Sequence, residues 1–127
     1  MSDFRIGLDH NSGVPIYRQI ISQILYAIAR GELPPGTQLP TVRQLAVELS
    51  VNPNTIIKAY KELEIRGNLE TQQGTGTFIS DAEVTITPEE KKRVLTALCK
   101  DVVGRAGAYG IELDEIIQAL NDFKEES

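Results

Sequence analysis

Asn54, Lys58 and Lys61 recur four and three residues apart, so on a helix they share one narrow sector. Their chemistry suits the edge of a nucleic-acid duplex. An amide pairs with the two hydrogen-bonding groups of an adenine edge, and a lysine ammonium reaches guanine or a phosphate. Ile57 and Ile65 flank the sector, and an exposed isoleucine at position 57 can meet a thymine methyl group. The start of this stretch also offers groups that can contact DNA: the Asn52, Asn54 and Thr55 side chains, plus the free main-chain N–H donors of a helix start, which attract phosphate. Taken alone, an Asn/Lys face is most often a solvated helix surface, so the neighbouring segments have to decide.

Those segments form a consistent frame. Ile56, Ala59, Tyr60 and Leu63 fall opposite the polar sector and supply a core face. Asn52 is placed to cap the helix, Pro53 suits its first turn, and Gly67 stops it after Arg66. Upstream, Thr41-Val-Arg-Gln has capping-box spacing and opens a shorter helix with Val42, Leu45, Ala46 and Leu49 inward. The turn Ser50-Val51-Asn52 joins the two. Downstream, strands at roughly Leu69–Gln72 and Thr77–Ser80 are joined by Gln73-Gly74-Thr75-Gly76. Two glycines can simply permit a hairpin turn; they also let a backbone approach DNA closely. No P-loop lysine or receiving helix follows them, which argues against nucleotide binding. A capped helix, a tight turn, a longer helix and a glycine-tipped hairpin, in that order, predict a winged helix-turn-helix.

The remaining chain is mainly helical. A first helix starts near Pro15 and ends before Gly31, with Ile16, Ile20, Ile24, Ala27 and Ile28 in one stripe. Tyr17, Ile21 and Leu25 widen that stripe, so cover is expected on two sides of it. GELPPGTQLP, residues 31–40, reads as a loop. After a connector at Ser80–Glu83, Thr87-Pro88-Glu89-Glu90 reads as a second capping box, opening a helix to about Gly104. Residues 105–110 break it, and a last helix carries Leu113, Ile116, Ile117, Leu120 and Phe123. The expected organisation is a mainly α chain. Residues 1–80 form a winged helix-turn-helix of three helices and a β-hairpin wing, and residues 81–127 a small two-helix dimerisation unit. Two such apolar helices cannot bury themselves, so they pair with a second chain or pack back on the first helix.

Composition bounds the rest. The net charge of −5 lies wholly in the C-terminal part, because residues 1–80 hold seven basic and seven acidic residues. Any DNA affinity therefore has to come from the placement of a few cations and backbone amides. The lone Cys99 precludes an internal disulfide and is expected to pack as a small hydrophobe. His10 stands apart from any ligand cluster and reads as a surface residue. With no nucleophile–base constellation and no metal-ligand spacing, neither an enzyme nor a cofactor is expected. No membrane span or signal layout is present, and a cytoplasmic location is expected.

From Pro15-Ile-Tyr-Arg-Gln through Gly76-Thr-Phe-Ile the chain resembles the DNA-binding domain of GntR-type bacterial transcriptional regulators. The matching elements are Gly31-x-Leu-Pro-Pro-Gly-x-x-Leu-Pro-Thr-x-Arg-x-Leu-Ala46, Val51-Asn-Pro-Asn-Thr55, Ala59-Tyr-x-x-Leu-Glu-x-x-Gly67 and Gly74-Thr-Gly-Thr-Phe78. The short C-terminal part and the Asn-Pro-Asn-Thr helix start look like the YtrA-type subfamily. This resemblance implies a homodimeric repressor acting on operator DNA, often at ABC-transporter operons, with no pyridoxal phosphate and no dedicated effector domain. It assigns Arg43 as the helix-two DNA contact, Asn52, Asn54 and Thr55 as helix-three contacts, and Gly74 and Gly76 as wing-tip glycines. With Thr41, Ile57, Lys58, Lys61 and Thr75 these complete the candidate DNA-binding set. Relatives carry arginines where this chain has Pro53 and Ile57, so their arginine–guanine contacts do not carry over. The rival reading is a protein-interaction module that uses the acidic C-terminal half.

Overall fold

The structure, a computed structural model, describes residues 4–82 and 85–126. The chain forms two compact units, Met1–Ala82 and Glu83–Ser127. The first contains α1 (Ile16–Ala29), α2 (Val42–Leu49), α3 (Pro53–Ile65) and the antiparallel pair β1 (Leu69–Gln72) and β2 (Gly76–Ile79). The second contains α4 (Pro88–Gly107) and α5 (Leu113–Glu126). The architecture is the mainly helical, winged one that the sequence implies.

The core of the first unit is built where α1 and α2 pack on α3. Ile20, Ile24, Ile56 and Leu63 are fully buried, and Ala27, Leu45, Ala46, Ala59 and Tyr60 close the space around them. Each fully buried Ile or Leu contributes about 1.5–3 kcal/mol, so this cluster fixes the orientation of α3. Tyr60 is the one core residue with a polar tip, and its hydroxyl donates to the Pro40 carbonyl at 2.8 Å. The α2–α3 turn is sharp. Ser50 ends α2 in the left-handed region at φ 56°, and Asn52 caps α3 two residues later.

The wide apolar arc of α1 finds its second cover in an element missing from the sequence reading. Phe4, Ile6 and Leu8 pack against the core, while Arg5, Gly7 and Asp9 face outward. Gln23 exchanges two hydrogen bonds with the Gly7 main chain, at 2.9 and 2.6 Å. Gln19 does the same with Asp9, both at 2.9 Å. Two glutamines one turn apart on α1 thus hold an extended arm by its backbone, taking alternate residues as the period of a strand requires.

The expected bounds of β2 and α4 need correction. The stretch 31–40 is the expected loop, tied to the wing where Gln38 bridges Phe78 and the Leu39 and Ile79 amides donate to the Thr77 and Thr37 carbonyls at 2.9 and 2.8 Å. The wing therefore carries a third, irregular edge. β2 begins at Gly76 and ends at Ile79, one residue earlier at each end than expected. α4 continues through Gly104 to Gly107, since a helical glycine costs only about 1 kcal/mol; the chain turns at Gly110, whose φ is 73°. At the head of α4 the Thr87 side chain accepts from the Glu90 amide at 3.1 Å. The return bond of a full capping box is not among the described contacts. Glu83, part of the expected connector, lies outside the described residues. No described helix is long and apolar enough to cross a membrane.

Candidate nucleic-acid interface

The buried face of α3 dictates its free one. With Ile56, Ala59, Tyr60 and Leu63 turned inward, Asn54, Ile57, Lys58 and Lys61 are all exposed and Thr55 is half-buried. Ile57 is 47% exposed and Ile65 77%, so two apolar side chains accompany the polar ones outward.

At the head of α3 the main chain is less available than the sequence suggests. Asn52 Oδ1 accepts from the Asn54 amide at 2.8 Å, and the Thr55 amide donates to the Asn52 carbonyl at 2.9 Å. Pro53 has no N–H at all. The expected phosphate-attracting N–H groups at Asn54 and Thr55 are thus already spent on the cap. Phosphate affinity here falls to side chains.

Lys58 also departs from a simple outward-pointing cation. Its ammonium lies 4.0 Å from the centre of the Tyr17 ring on α1, a cation–π contact. Arg18 reaches the same ring at 5.5 Å. In the sequence Tyr17 reads only as the flank of an apolar arc. A pairing across 41 positions leaves no local signal.

Thr41 and the wing tip meet around a second feature. Thr41 caps α2 reciprocally, its hydroxyl accepting from the Gln44 amide at 3.1 Å while its own amide donates to Gln44 Oε1 at 2.9 Å. An open groove runs beside it, lined by Thr41, Val42, Gln73, Gly74, Thr75 and Gly76 among others. Arg43, one helical position beyond Val42, is exposed. Gly74 has φ 80° with open space where a Cβ would stand. Gly76 is different: at φ 141°, an added Cβ would come within 2.5 Å of Gln38 Nε2. That amide donates to the Thr75 carbonyl at 3.1 Å, so Gly76 makes room for the side chain that braces the wing. Gln38 is a residue the sequence reading did not single out.

Ion pairing sorts the cations of residues 1–80, a stretch with a net charge of zero. Arg5, Arg30 and Arg66 are paired to Glu48, Glu32 and Glu62 at 3.2, 3.6 and 3.3 Å. Arg18, Arg43, Lys58 and Lys61 have no carboxylate partner among the described residues. The cations left unpaired include every one of the candidate DNA-binding set. His10 and Cys99 are both exposed, and Cys99 lines an apolar groove between α4 and α5 instead of packing fully, because the hairpin covers only one side of it.

Comparison with known proteins accords with this geometry. Residues 16–79 match the model of bacterial regulatory proteins of the gntR family. The chain is 39% identical over 117 residues to the HTH-type transcriptional repressor YtrA of Bacillus subtilis, covering 92% of this chain and 90% of that protein. A Listeria monocytogenes structure described as a transcriptional antiterminator superposes with a TM-score of 0.77 at 30% identity, over 97% of this chain and 92% of that one. The DNA-binding domain of AraR, solved in complex with an operator, gives a TM-score of 0.51 at 32% identity, over 61% of this chain and 92% of that one. The chain belongs to the GntR family of bacterial regulatory proteins, on the YtrA-like side of it, and is a DNA-binding transcriptional regulator.

Proposed function

We propose that the chain is a homodimeric repressor in which each subunit lays the outer face of α3 into the major groove of operator DNA. Asn54, Ile57, Lys58 and Lys61 contact base edges and phosphates, with Asn52 and Thr55 at the helix head. Thr41 and Arg43 grip the adjoining backbone from the start of α2, and Gly74, Thr75 and Gly76 bring the wing against the duplex. The observation that carries this reading is that Arg43, Lys58 and Lys61 have no carboxylate partner among the described residues, within a stretch, residues 1–80, whose net charge is zero. The similar DNA-binding domain of AraR was solved in complex with an operator, which supports DNA as the ligand.

The second unit is proposed as the dimerisation element. Leu95, Leu98, Val102, Leu113, Ile117 and Leu120 line one apolar groove, and Leu95 and Leu120 each remain 59% exposed. A second copy of the same hairpin, related by a two-fold axis, would cover both. Two subunits then read half-sites about 34–36 Å apart, or a multiple of that. The YtrA-like resemblance further suggests an ABC-transporter operon as the regulated target.

Selection of bound duplexes from a random pool tests the proposal. A repeated half-site at helical-turn spacing is the expected product. Recovery of no enriched sequence by the folded protein would favour the protein-interaction reading instead.

A further inference from the structure

Of the four basic residues in the first unit without a carboxylate partner, two converge on a single ring. Lys58 from α3 and Arg18 from α1 stand 4.0 and 5.5 Å from the centre of Tyr17. Arg18 is exposed and Tyr17 half-buried, and the Tyr17 hydroxyl makes no hydrogen bond with a described residue. Two cations sharing one ring repel each other, and the ring's negative face offsets only part of that. An anion bound beside the ring would offset that repulsion, because both cations and the phenol can donate charge-assisted hydrogen bonds to it.

We propose that Arg18, Tyr17 and Lys58 form one grip for a DNA backbone phosphate, so that α1 belongs to the DNA interface and Arg18 is a phosphate contact. This rests on the reading of α3 as the DNA-facing helix. Lys58 shares its outer face with Asn54 and Lys61, so a phosphate held at Tyr17 lies on the duplex that α3 reads. The spent amides at Asn54 and Thr55 add a reason for it, since the head of α3 has to take its phosphate through side chains. Phosphate contacts position a protein without reading sequence, which gives the cluster a signature distinct from that of base contacts.

The test uses the full chain with its selected operator and with an unrelated duplex of equal length, titrated across salt from about 50 to 200 mM. Arg18→Ala is expected to lower the slope of log affinity against log salt by about 0.9. The parent then loses about 3.5-fold more affinity than the variant over that range. The loss is equal on both duplexes, and Arg18→Lys restores the slope. Tyr17→Phe weakens both duplexes alike with its slope unchanged. Arg30→Gln, which removes a charge already paired with Glu32, keeps the parent slope. A parent-like slope in Arg18→Ala, or an equal drop in Arg30→Gln, overturns the grip while leaving operator binding intact. Parent-like affinity in Tyr17→Phe removes the hydroxyl from it. Failure of the parent itself to bind either duplex overturns the DNA reading and the grip together.

Discussion

The Lys58 ammonium rests 4.0 Å from the centre of the Tyr17 ring, tying the outer face of α3 to α1. Within the fold the cation joins two helices; its proposed contact with DNA would be a second role. Lys61, on the same face, has neither ring nor carboxylate beside it among the described residues. Lys58→Ala is expected to cost about 0.5–1 kcal/mol of stability, and also to lower the salt slope of DNA binding by about 0.9. Lys61→Ala is expected to lower the slope alone. Denaturant midpoints and salt titrations on both variants separate the roles. An unchanged midpoint in Lys58→Ala would show that the ring contact contributes nothing to folding.

The wing glycines should not be equivalent. A side chain at Gly74 meets open space and suffers only a left-handed backbone, at about 1–2 kcal/mol. At Gly76 the same methyl would collide with Gln38 Nε2, which braces the Thr75 carbonyl. Gly76→Ala is expected to destabilise the protein more than Gly74→Ala, and Gln38→Ala in the same chain to recover part of the difference. The part left over is the backbone strain at φ 141°. Thermal unfolding of the parent and the three variants measures it, and equal costs at the two glycines would remove the Gln38 contact from the account.

What the sequence could and could not reveal follows from the range of each signal. The caps at Thr41 and Asn52, the core face of α3 and the Gly67 stop are written within a few neighbouring positions, and each appears where its local pattern places it. The Lys58–Tyr17 contact and the Gln38 brace join residues 41 and 37 positions apart, and neither follows from local spacing. The Phe4–Leu8 arm did have a signal, apolar residues at every second position, but three positions are too few to stand out from a terminus. The extra turn of α4 has no local signal, because Gly107 and Gly110 within 105–110 read as a break, whereas a tolerated helical glycine looks the same in one sequence.

Tyr60 supplies a pH-dependent element. Burial, with the Glu48 carboxylate adding to it, pushes the phenol well above its ordinary value of 10.0. The folded state then keeps a proton that the unfolded chain begins to lose near pH 10. The resulting stability is fully present below that pH and is lost as pH rises toward the folded value. Tyr60→Phe leaves the Pro40 carbonyl without its partner and is expected to cost about 1 kcal/mol at neutral pH. The parent's advantage should shrink above pH 10, because only the parent carries that ionisation. A gap between the two proteins that stays constant from pH 7 to about 11 would count against this placement of the proton.

The apolar groove of the second unit gives the sharpest test of assembly. Leu98 on α4 is 56% exposed within one chain, so a charged side chain there can stay in water and leave the hairpin folded. Against a second copy the same carboxylate would enter an apolar seam, and a two-fold axis would bring in two of them. Burying an unpaired charge costs several kcal/mol, enough to raise the dimer dissociation constant by more than about 100-fold. Leu98→Glu is therefore expected to sediment as a monomer at concentrations where the parent is a dimer. Its operator affinity should fall toward that of a single half-site, because the second contact is no longer tethered to the first. Unfolding of the first unit should be unaffected, its core lying wholly within Met1–Ala82. If Leu98→Glu keeps the parent's mass and operator affinity, the α4–α5 groove is not the dimer seam, and the two half-sites must be joined through another surface.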